Sequence, residues 1–468
     1  MGQRHQILAR LKTEVFDVLI LGGGINGAGV GRDLSLRARH AGATLRIGLV
    51  EQRHFASGTS GKNSQLIHGG LRYLKRLQFG LVREALRERA ILLRLAPHLV
   101  EPLPFLMPLY SQFSRLYYGA GLALYDLLAG SRRLGRHRVL PREEVRRIEP
   151  DLAAEDLVCG MIFHDCRVHS ARFVLANVLD AIRTGVAAAN YVRAERWQRE
   201  AGVFRVELVD ALTNERFEAR ARKLVDTTGA WSQGTSLRLV RGSHIVLPRV
   251  NKSAHAVAWF NDDGRIVFFI PWGETKHLTL VGTTDIDHSA GPEDVRISPE
   301  ETRYLLRVVR RLFPSADLTP VGAFSSLRAL VRGESKAPSL ASREHRIWNS
   351  PDGVLHIAGG KYTTYRAMSE EAADRICREL APALARLHLT AETPLEDSPR
   401  PSLTFAIEHE MAQTLADVFF VSTYWGYERR WSAESLAPYA DEMARLLDWD
   451  AARTEREIGA VLRTTALS

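Results

Sequence analysis

Hydrophobic positions along the chain switch between continuous runs, period-2 alternation and helical spacing, and the switches mark out its elements. Phe16 to Leu21 is apolar except for Asp17, as in a strand covered on both faces. Residues 28–41 suit a helix and 45–50 a second strand, closing on Glu51. Between first strand and helix stand Gly22, Gly24 and Gly27, with Asn26 among them: the G-x-G-x-x-G spacing of a dinucleotide-binding β-α-β unit. These glycines supply a tight turn, close approach of backbone to a pyrophosphate, and close helix–strand packing. The helix N-terminus offers free N–H groups to phosphates, and an acid placed like Glu51 can bind a ribose hydroxyl.

From His54 to Leu74 the chain is small, polar and glycine-rich, a composition that wraps a ligand rather than forming a core. Residues 79–95 have helical spacing, and Pro97 to Pro108 is apolar but broken by prolines. Phe113 to Ala129 is aromatic and leucine-rich, followed by Arg132, Arg133, Arg136 and Arg138. Arg115, Asp126 and its short apolar length argue against a membrane span. Two readings stay open: an amphipathic helix on a membrane surface, with arginines toward acidic lipid, or a helix buried in the core. Residues 173–184 read as a helix, and residues 223–226 as a strand entering Thr227-Thr-Gly229, a second place where backbone can approach a cofactor.

From Arg241 onward, short strand-like runs separated by turns predict an antiparallel sheet. Ser298-Pro-Glu-Glu301 opens a helix with a capping box. Residues 354–358 form a further strand, followed by Gly359-Gly-Lys-Tyr-Thr-Thr364 and a helix to about Leu380, after which the pattern is helical. The expected organisation is α/β. A doubly wound dinucleotide-binding domain takes residues 15–240 and a return segment at 346–382. A mainly antiparallel cap, 241–345, is inserted into it, and 383–468 form a short helical C-terminal domain.

Composition changes the picture little. The 468 residues are 45% hydrophobic and 25% charged, ordinary for a globular protein of two or three domains. Three scattered cysteines do not suggest a disulfide frame or a zinc site, and fit a reducing compartment. Residues 1–14 lack the apolar core of a secretory signal. The net charge of +9 favours an anionic partner, and no motif supports nucleic acid.

Three stretches, Gly22-Gly-Gly-Ile-Asn-Gly-Ala-Gly29, Leu66-Ile-His-Gly-Gly-Leu-Arg-Tyr-Leu74 and Gly359-Gly-Lys-Tyr-Thr-Thr-Tyr365, together resemble the FAD-dependent, quinone-linked glycerol-3-phosphate dehydrogenases of the glycine and amino-acid oxidase superfamily. Gly242-Ser-His-Ile-Val-Leu-Pro248, Ile270-Pro-Trp272 and Gly282-Thr-Thr-Asp285 extend the resemblance, which covers roughly residues 15–370. The family also suggests departures: Gly61 and Gln65 stand where a hydroxyl and a lysine are usual, and Ser326-Leu-Arg-Ala-Leu330 replaces Gly-Val-Arg-Pro-Leu.

The resemblance implies an FAD domain (Rossmann-like), a substrate cap and a helical C-terminal region. It implies oxidation of sn-glycerol 3-phosphate to dihydroxyacetone phosphate, with hydride to flavin N5 and electrons on to a quinone. It also implies a place on the cytoplasmic membrane face, often as a homodimer. By motif, the FAD contacts are Gly22, Gly24, Asn26, Gly27, Glu51, Thr59, Ser60, His68, Gly69, Gly70, Gly229, Gly359, Gly360 and Thr364. Arg72, Tyr73, Arg343 and Thr363 are the substrate contacts, and Arg328, Lys361 and His244 the catalytic set. Arginine forks and a lysine suit a phosphate monoester. His244 is the candidate base for the C2 hydroxyl, with a purely structural histidine as the other reading. An amino-acid or amine oxidase of the same fold and a non-catalytic FAD-binding relative remain as alternatives.

Overall fold

The computed structural model describes residues 2–233, 237–293, 295–331, 345–397 and 401–465. Two sheets carry the molecule, and their strands interleave along the sequence. The first sheet runs, in spatial order, His345–Asn349, Leu355–Gly359, Arg216–Asp226, Val15–Leu21, Ile47–Val50 and Ala187–Ala189. Its inner pairings are parallel, with Leu19 beside Leu224 on one side and Gly48 on the other. Phe16, Val18, Leu19 and Ile20 have no exposure, as the unbroken apolar run required. Each such side chain contributes about 1.5–3 kcal/mol relative to exposure. The Ile25–His40 helix covers one face, and the Ser170–Arg183 and Tyr365–Leu380 helices pack against it. That first helix buries Arg32, Asp33 and Arg37, and none of these charges is left alone. Arg32 pairs with Asp180 at 2.5 Å, and Arg37 with Asp33 and Asp374 at 2.6 and 2.5 Å.

The second sheet begins much earlier than the expected boundary at residue 241. Its order is Ile286–Asp287, Leu237–Pro248, Leu278–Gly282, Ile266–Trp272, Ala256–Phe260, Val100–Leu109, Cys159–Val168 and Leu66–Ile67. Gly322–Val331 and Arg138–Pro141 pair at its sides. Four of its strands thus come from residues 66–168, and the joint between Val100–Leu109 and Ala256–Phe260 is parallel. The rest is antiparallel.

The apolar, proline-broken segment is itself a strand. Pro102, Pro104 and Pro108 are separated by even numbers of residues, so their missing N–H groups all face the same edge. On that edge only Phe105 and Leu106 are paired. The capping box is formed: the Glu301 amide donates to Ser298 Oγ, and the Glu301 carboxylate accepts from the Ser298 amide.

The Gln112–Ala129 helix is not a core helix. Only Leu122, Tyr125 and Ala129 are buried, while Phe113, Leu116 and Leu127 are each about three-quarters exposed. Among the described residues no helix is long and apolar enough to cross a membrane. The C-terminal region contains the helices Leu403–Glu410, Ala433–Leu447 and Ala451–Thr465. It packs back on the rest through Tyr424, whose hydroxyl donates to the Gly61 carbonyl at 2.6 Å.

Candidate functional site

One cavity of about 580 Å³ runs between the sheets, lined at one end by the first glycine turn and at the other by the second sheet. The first end is built from backbone. Gly22, at φ 103°, turns the chain where any side chain would press on the Thr227 carbonyl at 2.8 Å. A Cβ on Gly27 would lie 1.9 Å from the Gly22 carbonyl oxygen, so helix and strand can cross here only with glycine. Gly27 therefore packs behind the turn and does not line the cavity, whereas Gly22, Gly24, Asn26 and Gly229 do.

Glu51 also lines the cavity; its two carboxylate oxygens accept from the Gly23 and Arg53 amides at 2.7 and 2.9 Å. Burial raises its pKa, with those backbone bonds opposing. An ionised carboxylate with lone pairs to spare can still accept from ribose hydroxyls. Ser60 Oγ accepts from the Ile25 amide at 2.9 Å, closing the helix N-terminus, and Thr59 Oγ1 donates to the Leu327 carbonyl at 2.5 Å. The loop thus ties the helix that would face a pyrophosphate to the second sheet.

At the other end the cavity wall includes His68, Gly70, Tyr73, His244, Arg328, Gly359, Gly360, Lys361 and Thr363, nine of the residues singled out from the sequence. Lys361 Nζ lies 3.8 Å from the centre of the Tyr73 ring, a cation–π contact. Thr363 Oγ1 accepts from the His68 amide at 3.2 Å and joins the two motif loops. Arg328 donates to Asp285 Oδ1 at 2.7 Å, to the Thr284 carbonyl at 3.2 Å and to Thr283 Oγ1 at 2.9 Å. His244 Nε2 lies 2.9 Å from Ser64 Oγ, and its buried Nδ1 has no hydrogen-bond partner among the described residues.

Two glycines of the cap strings make room for these side chains. A Cβ on Gly242 would meet the Arg328 guanidinium at 2.5 Å, and one on Gly282 the His244 ring at 2.2 Å. Burial, and then the nearby Arg328, lower the His244 pKa to about 3, with Asp285 opposing. The ring is neutral at physiological pH.

Besides Gly27, two residues named from the sequence lie off the cavity wall, and two more cannot be placed there. Gly69 faces away from the cavity: a Cβ there would strike the Tyr125 hydroxyl at 2.3 Å and Leu86 at 2.5 Å. Thr364 is buried at the start of the Tyr365–Leu380 helix and does not line the cavity either. Arg343 lies outside the described residues, and of Arg72 only the backbone, in the turn of helix Leu71–Arg76, is described.

Some cavity residues escaped the sequence reading. Asp226 lines the wall and binds His356 Nδ1 at 2.9 Å. Burial pushes the Asp226 pKa up, but hydrogen bonds from His356, Ser232 and Thr228 outweigh it and leave the pKa lowered. Lys62 also lines the cavity, and burial, with Arg53 nearby, brings its pKa down to about 8. Asp285 and Ser64 sat inside stretches already singled out. Their roles follow from what they touch, Arg328 and His244, and contacts across 43 and 180 residues leave no local pattern.

Residues 17–375 match the FAD dependent oxidoreductase model. The chain belongs to this family of FAD-dependent oxidoreductases. Its cofactor is FAD, and the fold is that of an FAD-binding domain with an antiparallel cap and a helical C-terminal region. A curated relative, the aerobic glycerol-3-phosphate dehydrogenase of Staphylococcus aureus, is 32% identical over 397 residues, 81% of this chain and 70% of that protein. The crystal structure of the glycerol-3-phosphate dehydrogenase from Bacillus halodurans complexed with FAD is similar in fold. Its TM-score is 0.76 at 23% identity, covering 99% of this chain and 97% of that one. The L-alpha-glycerophosphate oxidase of Mycoplasma pneumoniae follows at TM-score 0.63 and 18% identity, covering 78% and 95%. The glycine cradle, the carboxylate of Glu51 and the long cavity fit the dinucleotide of this family.

Proposed function

We propose that this oxidoreductase converts sn-glycerol 3-phosphate to dihydroxyacetone phosphate and hands the electrons to a membrane quinone. The observation that carries the reading is the pairing, in one cavity, of a dinucleotide cradle with Arg328, Lys361 and a neutral His244. FAD, when bound, takes up the hydride lost from C2 of the substrate and passes the electrons on. The chain's own residues bind, orient and move the proton. Arg328, already aimed by Asp285 and Thr283, and Lys361 present fixed donors to a phosphate monoester. His244 accepts the C2 hydroxyl proton at a ring nitrogen. Its low pKa makes it a weak base alone, and a phosphate dianion close by raises it toward the useful range.

The relative from Staphylococcus aureus, named for this activity, supports the substrate. A same-fold amino-acid oxidase is the second enzyme reading, but two cations beyond an arginine–tyrosine pair exceed what one carboxylate needs. Turnover of the FAD-loaded protein with an artificial electron acceptor tests the choice. Activity is expected on glycerol 3-phosphate and absent on glycerol and on amino acids; the reverse order of substrates would overturn the reading.

The same proposal seats the protein on a lipid surface. Phe113, Leu116, Tyr117 and Leu127 on one helix, with Leu77 and Phe79 exposed in sequence near the cavity turn, leave apolar side chains in water. Exposed Arg132, Arg133, Arg136 and Arg138 follow directly, matching an anionic headgroup layer. Flotation with anionic vesicles is expected for the natural chain and lost in Leu116→Glu; flotation equal in both would contradict it.

A further inference from the structure

The turn His68-Gly69-Gly70 carries cavity-facing groups and is anchored through Gly69 by Tyr125, behind the wall, and by Asp165, which itself lines the cavity. The Gly69 amide donates to two acceptors at once, the Tyr125 hydroxyl at 3.0 Å and Asp165 Oδ1 at 3.1 Å. Tyr125 in turn donates to Asp165 Oδ1 at 2.7 Å, and Arg89 donates to that same oxygen at 2.7 Å. All three side chains are buried. Burial, and then Asp165, hold the Tyr125 pKa well above its ordinary value, so the hydroxyl stays a donor.

What the anchor fixes lies within a few residues. Gly70, at φ 82°, hands the chain to a short helix whose Tyr73 amide bonds the Gly70 carbonyl at 2.8 Å. A Cβ on Gly70 would touch the Tyr73 ring at 2.3 Å and reach Lys361 Nζ at 3.5 Å. The ammonium of Lys361 thus rests in a notch whose floor is the Gly70 backbone and whose wall is Tyr73. Tyr73 belongs to a small apolar cluster with Leu74, Val82, Leu86, Tyr125 and Ala129, separate from the main core. The Tyr125 hydroxyl is the polar joint between that cluster and the cavity turn.

We propose that Tyr125 is a positioning residue for the reaction: through the Gly69 amide it sets the Gly70–Tyr73 notch and so the place of the Lys361 charge in the cavity. Tyr125 does not line the cavity; it acts through the turn. The inference rests on the reading of Lys361 as a group that serves the substrate end.

Tyr125→Phe in the FAD-loaded full chain is the test, because it keeps the ring in its cluster. Asp165→Asn would leave the buried Arg89 without its counter-charge and could unfold the chain. Tyr439→Phe, in the Ala433–Leu447 helix and outside the cavity wall, is the control. One hydrogen bond of this kind corresponds to a threefold to tenfold effect, roughly. The expected result for Tyr125→Phe is a KM for glycerol 3-phosphate raised by about that factor. Flavin content and thermal midpoint stay near those of the natural chain, and amide hydrogen exchange is faster over residues 66–78. Tyr439→Phe is expected to match the natural chain.

Unchanged exchange over 66–78 overturns the proposal. So does faster exchange with KM per bound flavin within twofold of the natural value, which marks a purely structural bond. If the natural chain is not reduced by glycerol 3-phosphate, the substrate reading fails separately. The positioning role is then decided by the visible flavin spectrum: faster exchange with a shifted spectrum supports it, and faster exchange with an unshifted one overturns it.

Discussion

The two ends of the cavity are built differently. At the dinucleotide end the decisive atoms are backbone: the Gly22 turn, the Gly27 crossing and the Gly23 amide held by Glu51. At the cap end they are side chains, Arg328, His244 and Lys361, delivered by three separate segments and each seated against a partner from elsewhere. A backbone site tolerates almost no added atom but does not depend on charge. A side-chain site tolerates changes of shape but depends on every charge and hydrogen bond. Substitutions at the two ends should therefore fail in different ways.

Gly27→Val tests the first end and has the largest expected effect. Its Cβ alone overlaps the Gly22 carbonyl, so the purified protein should lack the visible flavin spectrum and lose all turnover; a normally loaded, active Gly27→Val would break the distinction. Lys361→Met tests the second end. The flavin should remain bound while kcat/KM on glycerol 3-phosphate falls by about 100-fold, the scale set by losing one preorganised charge contact. Arg328→Lys keeps the charge but loses the fork shared between Asp285 and Thr283. A drop in kcat/KM of roughly tenfold is expected, mostly in KM, with flavin content again unchanged.

The smallest effect concerns acid stability. The folded His244 has a pKa of about 3 against an ordinary 6.5. Between those values the unfolded chain binds more protons than the folded one, so stability falls as pH falls through that window, by about 1.4 kcal/mol per pH unit at most. Urea unfolding at pH 6 and pH 5 should show a shallower loss in His244→Gln than in the natural chain. His169, also lowered to about 3 by burial and Arg172, keeps part of the slope in both.

How much of this was legible in the sequence follows the same division. The β-α-β unit could be read because glycine spacing and an unbroken apolar run are local signals of local geometry. The longest early strand of the second sheet was hidden because Val100–Leu109 carries three prolines, and their tolerance depends on which edge is unpaired, a tertiary fact. Arg328, His244 and Lys361 could be named as candidates by motif, yet nothing local showed that Asp285 aims one and Ser64 holds another. The orientation of Gly69 was hidden for a related reason. In a Gly-Gly pair the sequence does not show which amide faces the cavity and which faces Tyr125.

The measurement that tests the central claim most directly is the visible spectrum of the FAD-loaded protein under anaerobic conditions as glycerol 3-phosphate is added. Complete bleaching of the flavin bands near one equivalent of substrate, with none on adding glycerol, is the predicted result. A flavin that stays oxidised in a large excess of glycerol 3-phosphate would contradict the proposed reaction while leaving the fold and the cofactor in place.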